Sequence, residues 1–243
     1  MHIFSYFATI VSFIFAAAVF RRWSYKQPKH LLLWGIGLVI FGLGTLSEVV
    51  LSYAFSPVWL KVWYLSGAML TAAWLGQGTV YLLVRRRGLA DLLMLLLAAV
   101  SLLSLGLMLT APLTPAAELF EISRPVSEQY KDILVRNGLV IILTIFLNIY
   151  GTLALVGGAI YSAFLFWRKK VLANRMTGNL LIAAGALMPA MAGSLVKAGL
   201  VDFLYLSEFL GVVVMYAGFL LATVEKPVAR QTDLPAVDHL VNR

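Results

Sequence analysis

Seven long apolar blocks, separated by short stretches that hold most of the charge, constrain this chain more than any other feature. They are Ile3–Phe20, Leu31–Phe55, Val58–Val84, Leu92–Ala111, Leu139–Trp167, Leu180–Leu200 and Phe203–Val224. An α-helix rises 1.5 Å per residue, so about 20 residues cross the roughly 30 Å hydrocarbon core of a bilayer. A water-soluble core has no room for seven such segments. Composition agrees: 61% of the 243 residues are hydrophobic and 12% charged, against about 45–50% and about 25% in soluble domains. Transmembrane β-strands would be about 10 residues long with alternating polarity, and no block alternates. The expected fold is an all-α integral membrane protein with seven transmembrane helices.

The short stretches between blocks carry an asymmetry. Arg21, Arg22, Lys26, Lys29, Arg85–Arg87, Arg168, Lys169, Lys170, Arg175, Lys226, Arg230 and Arg243 all fall on one side, which holds 14 of the 19 basic residues. Lys61, Arg124, Lys131, Arg136 and Lys197 fall on the other. Basic residues collect on the cytoplasmic side, which puts the amino terminus outside, the carboxyl terminus inside and the protein in a plasma or inner membrane. The net charge of +8 is thus a topology signal. The expected partner is the lipid bilayer with its anionic headgroups, and no nucleic acid. Trp23, Trp34 and Trp167 at inner ends and Trp59 and Trp63 at outer ends read as interfacial anchors. Trp74 falls mid-span.

The first block is followed, not preceded, by its positive charges, so it reads as a retained helix and not a secretory signal. Residues 1–225 form the expected membrane domain, with a first triplet 3–84, a linker helix 92–111, an extracellular loop 112–137 and a second triplet 139–224. A flexible cytoplasmic tail, 226–243, follows. Within the loop, Ser127 to Val135 reads as a short surface helix or lid. The long fifth block needs a tilt, a bend near Gly157-Gly158 or an extension beyond the bilayer, and Pro189 should kink the sixth.

Residue types exclude much chemistry. The chain has no cysteine, and its three histidines, His2, His30 and His239, lie at or beyond block ends. A membrane-embedded bis-histidine haem and an intramembrane Ser–His protease both need imidazole at depth. Asp91 and Asp202 sit at span ends, which argues against an aspartyl protease. No catalytic residue, metal or cofactor is expected.

The two ends of the chain echo one another. LLLWGIGLVIFGLGTLSE from Leu31 aligns without gaps with LLIAAGALMPAMAGSLVK from Leu180, and Tyr64-Leu65-Ser66 matches Tyr205-Leu206-Ser207. These echoes predict a parallel 3+1+3 repeat with a cavity between the triplets. The plan is similar to that of SWEET and PQ-loop carriers and of microbial rhodopsins. The Pro-Gln turn of the PQ-loop carriers and the retinal-binding lysine of the rhodopsins are both missing. The seven-helix topology also resembles the membrane halves of some bacterial sensor kinases, which implies that a sensor of this kind signals through a separate partner.

Ionisable groups within spans are expensive and by default functional. Glu48 shares a helix face with Gly37, Phe41, Gly44 and Ser52, and Glu208 with Gly211, Met215, Gly218 and Ala222. Asn148 shares one with Thr144, Gly151, Leu155, Gly158 and Ser162, and Gln77 with Ser66, Leu70, Trp74 and Tyr81. Small residues at helical spacing mark faces where helices pack closely, so these polar groups should point into the bundle. Glu48, Glu208 and Lys197 are expected to form an outward-facing polar cluster. With Asn148, Gln77, Trp74, Tyr64 and Tyr205 they make a candidate site for a small ligand of unknown identity. The structural reading is that each carboxyl or amide joins helices and binds nothing. The expected function is binding or translocation of a small ligand between the two triplets. The alternatives are a sensor without its own output domain and a subunit of a membrane complex with a protein partner.

Overall fold

A computed structural model describes residues 3–86, 88–168, 173–197 and 202–223, without the side chains of residues 26, 173, 190–197, 202 and 203. It is helical throughout, with a single isolated bridge, Leu113 to Leu134, and no strand among the described residues. The long helices are α1 (Ile3–Lys26), α2 (Lys29–Leu51), α3 (residues 57–83), α4 (Leu89–Thr110), α6 (Gly138–Arg168), α7 (Ala173–Lys197) and α8 (Asp202–Thr223). A short helix, α5 (Val126–Ile133), lies in the loop between α4 and α6. The expected tail, 226–243, lies outside the described residues.

Among the described residues, five helices, α1, α2, α4, α6 and α8, are long and apolar enough to cross a membrane. The other two long helices are more polar. α3 carries Lys61, Ser66, Thr71 and Gln77, and α7 opens on Asn174 and Arg175, ahead of the apolar block that begins at Leu180.

Packing closes six helices into a ring. α1 packs on α2, α2 on α3, α3 on α6, α6 on α7, α7 on α8, and α8 back on α1. α4 stands outside the ring against α3 and α6. It is the least buried of the five apolar helices, with Leu95, Leu102 and Leu109 turned outward. Glycine lets backbones meet where the ring is tightest. A Cβ on Gly151 of α6 would lie 2.1 Å from the Ala72 carbonyl carbon of α3, and one on Gly185 of α7 would lie 2.6 Å from the Gly211 carbonyl oxygen of α8.

Both α3 and α6 contain a π-helical stretch, Tyr64–Leu70 and Leu153–Gly157. The second falls at the bend expected near Gly157-Gly158. Such turns, with i→i+5 hydrogen bonds, recur at functional sites.

The 112–137 segment is held as a structured cap. The Thr114 N–H donates to Ile133 O (2.9 Å) and the Val135 N–H to Pro112 O (3.1 Å), tying its ends together. Gln129, buried, accepts from the Glu121 N–H (2.8 Å) and donates to the carbonyls of Glu121 (2.9 Å) and Arg124 (3.0 Å). The cap then packs on the ring. Tyr130 of α5 packs at a tilt against Trp63 and Tyr64 (centroids 5.1 and 5.6 Å), and the Arg136 guanidinium lies 4.9 Å over the Tyr130 ring. Burial pushes the Tyr130 phenol above its ordinary value, a shift the nearby Arg136 charge opposes. The predicted helix Ser127 to Val135 is this α5.

Candidate functional site

Between the helices of the ring lies a partly open cavity of about 360 Å³. Its walls come from α2, α3, α6, α7 and α8, and Ser127 of α5 contributes at one end. That end carries the polar groups. Glu48, near the last turn of α2, is 4% exposed and accepts two hydrogen bonds: Ser5 Oγ donates to Oε2 (3.0 Å) and Trp63 Nε1 to Oε1 (3.0 Å). Glu208, from α8, sets its carboxyl against that of Glu48. One Glu208 oxygen, Oε2, is buried and has no hydrogen-bond partner among the described residues, and the same holds for Ser127 Oγ.

Asn148 completes the polar wall from α6. Its Nδ2 donates to Ala68 O (2.7 Å), a carbonyl within the π-helical stretch of α3, and to Thr144 O (2.8 Å). With both amide hydrogens spent on carbonyls, Oδ1 is left as an acceptor. The opposite end of the cavity is apolar, floored by Leu38, Leu75, Leu155 and Met215. These four side chains also line a small apolar void of about 20 Å³ beyond, walled by Phe15, Val19, Trp34 and Phe219. A polar chamber and an apolar seal therefore lie one above the other.

No family model, no curated protein and no solved structure matches this chain.

The structure brings Glu48, Glu208 and Asn148 to one cavity and places Tyr64, Tyr205, Gln77 and Trp74 elsewhere. Tyr64 and Tyr205 are second to the cavity. The Tyr64 hydroxyl shares a 3.2 Å hydrogen bond with Thr144 Oγ1, and the Val126 backbone N–H of α5 donates to the Tyr205 phenol oxygen. They brace the cap. Gln77 faces elsewhere: its Nε2 donates to Ala90 O (2.8 Å) and its Oε1 accepts from the Tyr150 hydroxyl. Trp74 Nε1 donates to Ser101 Oγ (3.2 Å) of α4. Both residues join α3 to its neighbours. The Lys197 side chain lies outside the described residues. Among the described residues, no cation lines the cavity and no group of three His, Asp or Glu gathers for a metal.

One residue is corrected outright. Trp63 reads in sequence as an interfacial anchor, yet it is 8% exposed and a donor to Glu48. The only signal was depth: α2 and α3 form a tight hairpin, so Trp63, in the second turn after Ser56, sits level with Glu48. Trp34 is likewise half-buried and donates to Thr79 Oγ1 (3.3 Å), whereas Trp167 is exposed as expected. Ser5 and Ser127 carried no signal, because serines on apolar helices and in loops are common.

Proposed function

We propose that this is a multi-pass membrane protein that binds a small ligand in the ring cavity and passes it across the bilayer. The cavity carries the reading: about 360 Å³, polar at the capped end and sealed by apolar side chains at the other. Pockets for small molecules run from about 300 to 1,000 Å³, mostly apolar with a few placed polar groups. Passage needs only two local events, movement of α5 at the capped end and parting of Leu38, Leu75, Leu155 and Met215 at the other.

This reading takes α3 and α7 as spans as well, giving seven, with the cap outside and the basic end cytoplasmic. Their lower apolarity fits their place, since both line the cavity. The neighbour relations also support a 3+1+3 duplication. Exchanging α1, α2, α3 with α6, α7, α8 maps the α3–α6 contact onto α8–α1, and each contact within one triplet onto its counterpart. α4 is the unpaired helix. The echoed segment around Gly193-Ser194-Leu195 falls where side chains are outside the described residues.

The test is solute uptake. Purified protein in proteoliposomes is screened against small solutes, and uptake of the carried solute should fall at least tenfold in Ala186→Phe, which fills the cavity without touching a charge. Glu48→Gln and Glu208→Gln should also reduce it. Unchanged uptake in all three, with melting temperatures preserved, overturns the proposal.

A further inference from the structure

We infer that the ligand is a small amphipathic organic cation, a protonated amine whose ammonium lies at Glu48 and Glu208 and whose apolar body rests on Leu38, Leu75, Leu155 and Met215. The inference rests on the cavity being a ligand site and adds the chemical class. Four observations carry it. First, two carboxyl groups meet in one wall of the cavity, and no cationic side chain lines it among the described residues. An unpaired negative charge at this depth is costly and calls for a proton or a cation.

Second, among the described residues Glu48 is reached by a hydroxyl, an indole N–H and the Glu208 carboxyl itself, and none of these is a cation. Third, the remaining polar atoms favour a donor. Glu208 Oε2 has no partner among the described residues, and Asn148 has spent its N–H groups and keeps an acceptor. An ammonium offers three N–H donors and one positive charge, which matches both needs. Fourth, the rest of the lining is mainly apolar and the cavity is far larger than one ion. A hydrated or bare metal ion would leave that apolar surface unused. An anion would meet two carboxyls, and a neutral alcohol would leave the charge unmet.

The experiment uses the full chain in detergent and three probes of one shape: 2-phenylethylamine, 2-phenylethanol and 3-phenylpropanoate. Saturable binding of labelled amine is measured, with the other two as competitors and a protein-free micelle blank. The expected result is saturable amine binding, competition from neither the alcohol nor the carboxylate at tenfold excess, and at least a tenfold loss of affinity in Glu208→Gln. Ala186→Phe should remove amine binding altogether. If Glu208→Gln does not fold, the amine-to-alcohol ratio on the unaltered chain decides.

Equal binding of the alcohol or the carboxylate overturns the cation class, as does full amine affinity in a folded Glu208→Gln. In either case loss of binding in Ala186→Phe would leave the cavity standing as a ligand site. Amine binding that survives Ala186→Phe places the amine outside the cavity and overturns the inference. If no probe binds, the inference also fails, and the uptake screen judges the cavity separately.

Discussion

A carboxyl group at membrane depth survives only if something meets its charge or its hydrogen-bonding capacity, and the two glutamates that line the cavity are met differently. Glu48 takes a donor on each oxygen, from Ser5 and Trp63. Trp63→Phe keeps the aromatic bulk but leaves Glu48 Oε1 without its donor. A buried acceptor so orphaned costs about 1–3 kcal/mol, and the expected drop in stability is read by chemical or thermal unfolding in micelles. Gln77 makes the contrast. Its two hydrogen bonds are internal, to Ala90 O and Tyr150, and interhelical bonds in membranes are worth about 0.6–1.7 kcal/mol. Gln77→Leu should lower stability by that amount and leave uptake and amine binding unchanged; a binding defect there would extend the site beyond the cavity. Glu48, Glu208 and Asn148 were legible because a charge or an amide on a glycine-bearing face has few other uses. Gln77 sits mid-helix with the same helical spacing to Ser66, Leu70, Trp74 and Tyr81, though without a glycine on that face. Only the neighbouring helix decides whether such a face looks into a cavity or onto a backbone carbonyl.

At the scale of elements, the cap shows how a polar loop becomes part of a site. Hydrogen bonds at both ends of the segment and the buried Gln129 amide hold it together. The Tyr205 contact and the Trp63, Tyr64 and Tyr130 rings hold it to the bundle. Gln129→Leu removes the internal clasp. The expected outcome is faster proteolytic nicking within 112–137, measured against an unchanged rate elsewhere in the chain. The helix itself could be placed from sequence, since Val126, Gln129 and Ile133 fall on one face of it. Its docking could not, because loop residues give no periodic signal for what lies beneath them. The π-helical stretches split the same way. Gly157-Gly158 hinted at a bend in α6, while Tyr64–Leu70 in α3 gives no warning, since a π turn depends on which carbonyls a neighbouring helix captures.

For the whole molecule, the proposed orientation makes a direct prediction, helped by the absence of cysteine. Single substitutions give unambiguous labels. Glu118→Cys, in the cap, should react with a membrane-impermeant maleimide on intact cells, whereas Arg86→Cys should react only after permeabilisation. The opposite pattern would invert the protein and put the capped end of the cavity in the cytoplasm. Membrane class and the positions of the helices were determined by sequence alone, because burying long apolar blocks in lipid is a local property of each block. The basic residues bias orientation for the same reason, each loop acting separately. The ring, the exclusion of α4, the meeting of Glu48 with Glu208 and the role of Trp63 were decided by tertiary structure. They depend on which helix faces touch, and in a bilayer, where lipid is as apolar as leucine, hydrophobicity no longer says which face that will be. Close backbone approach at Gly151 and Gly185, and the pairing of a few polar atoms, make that choice.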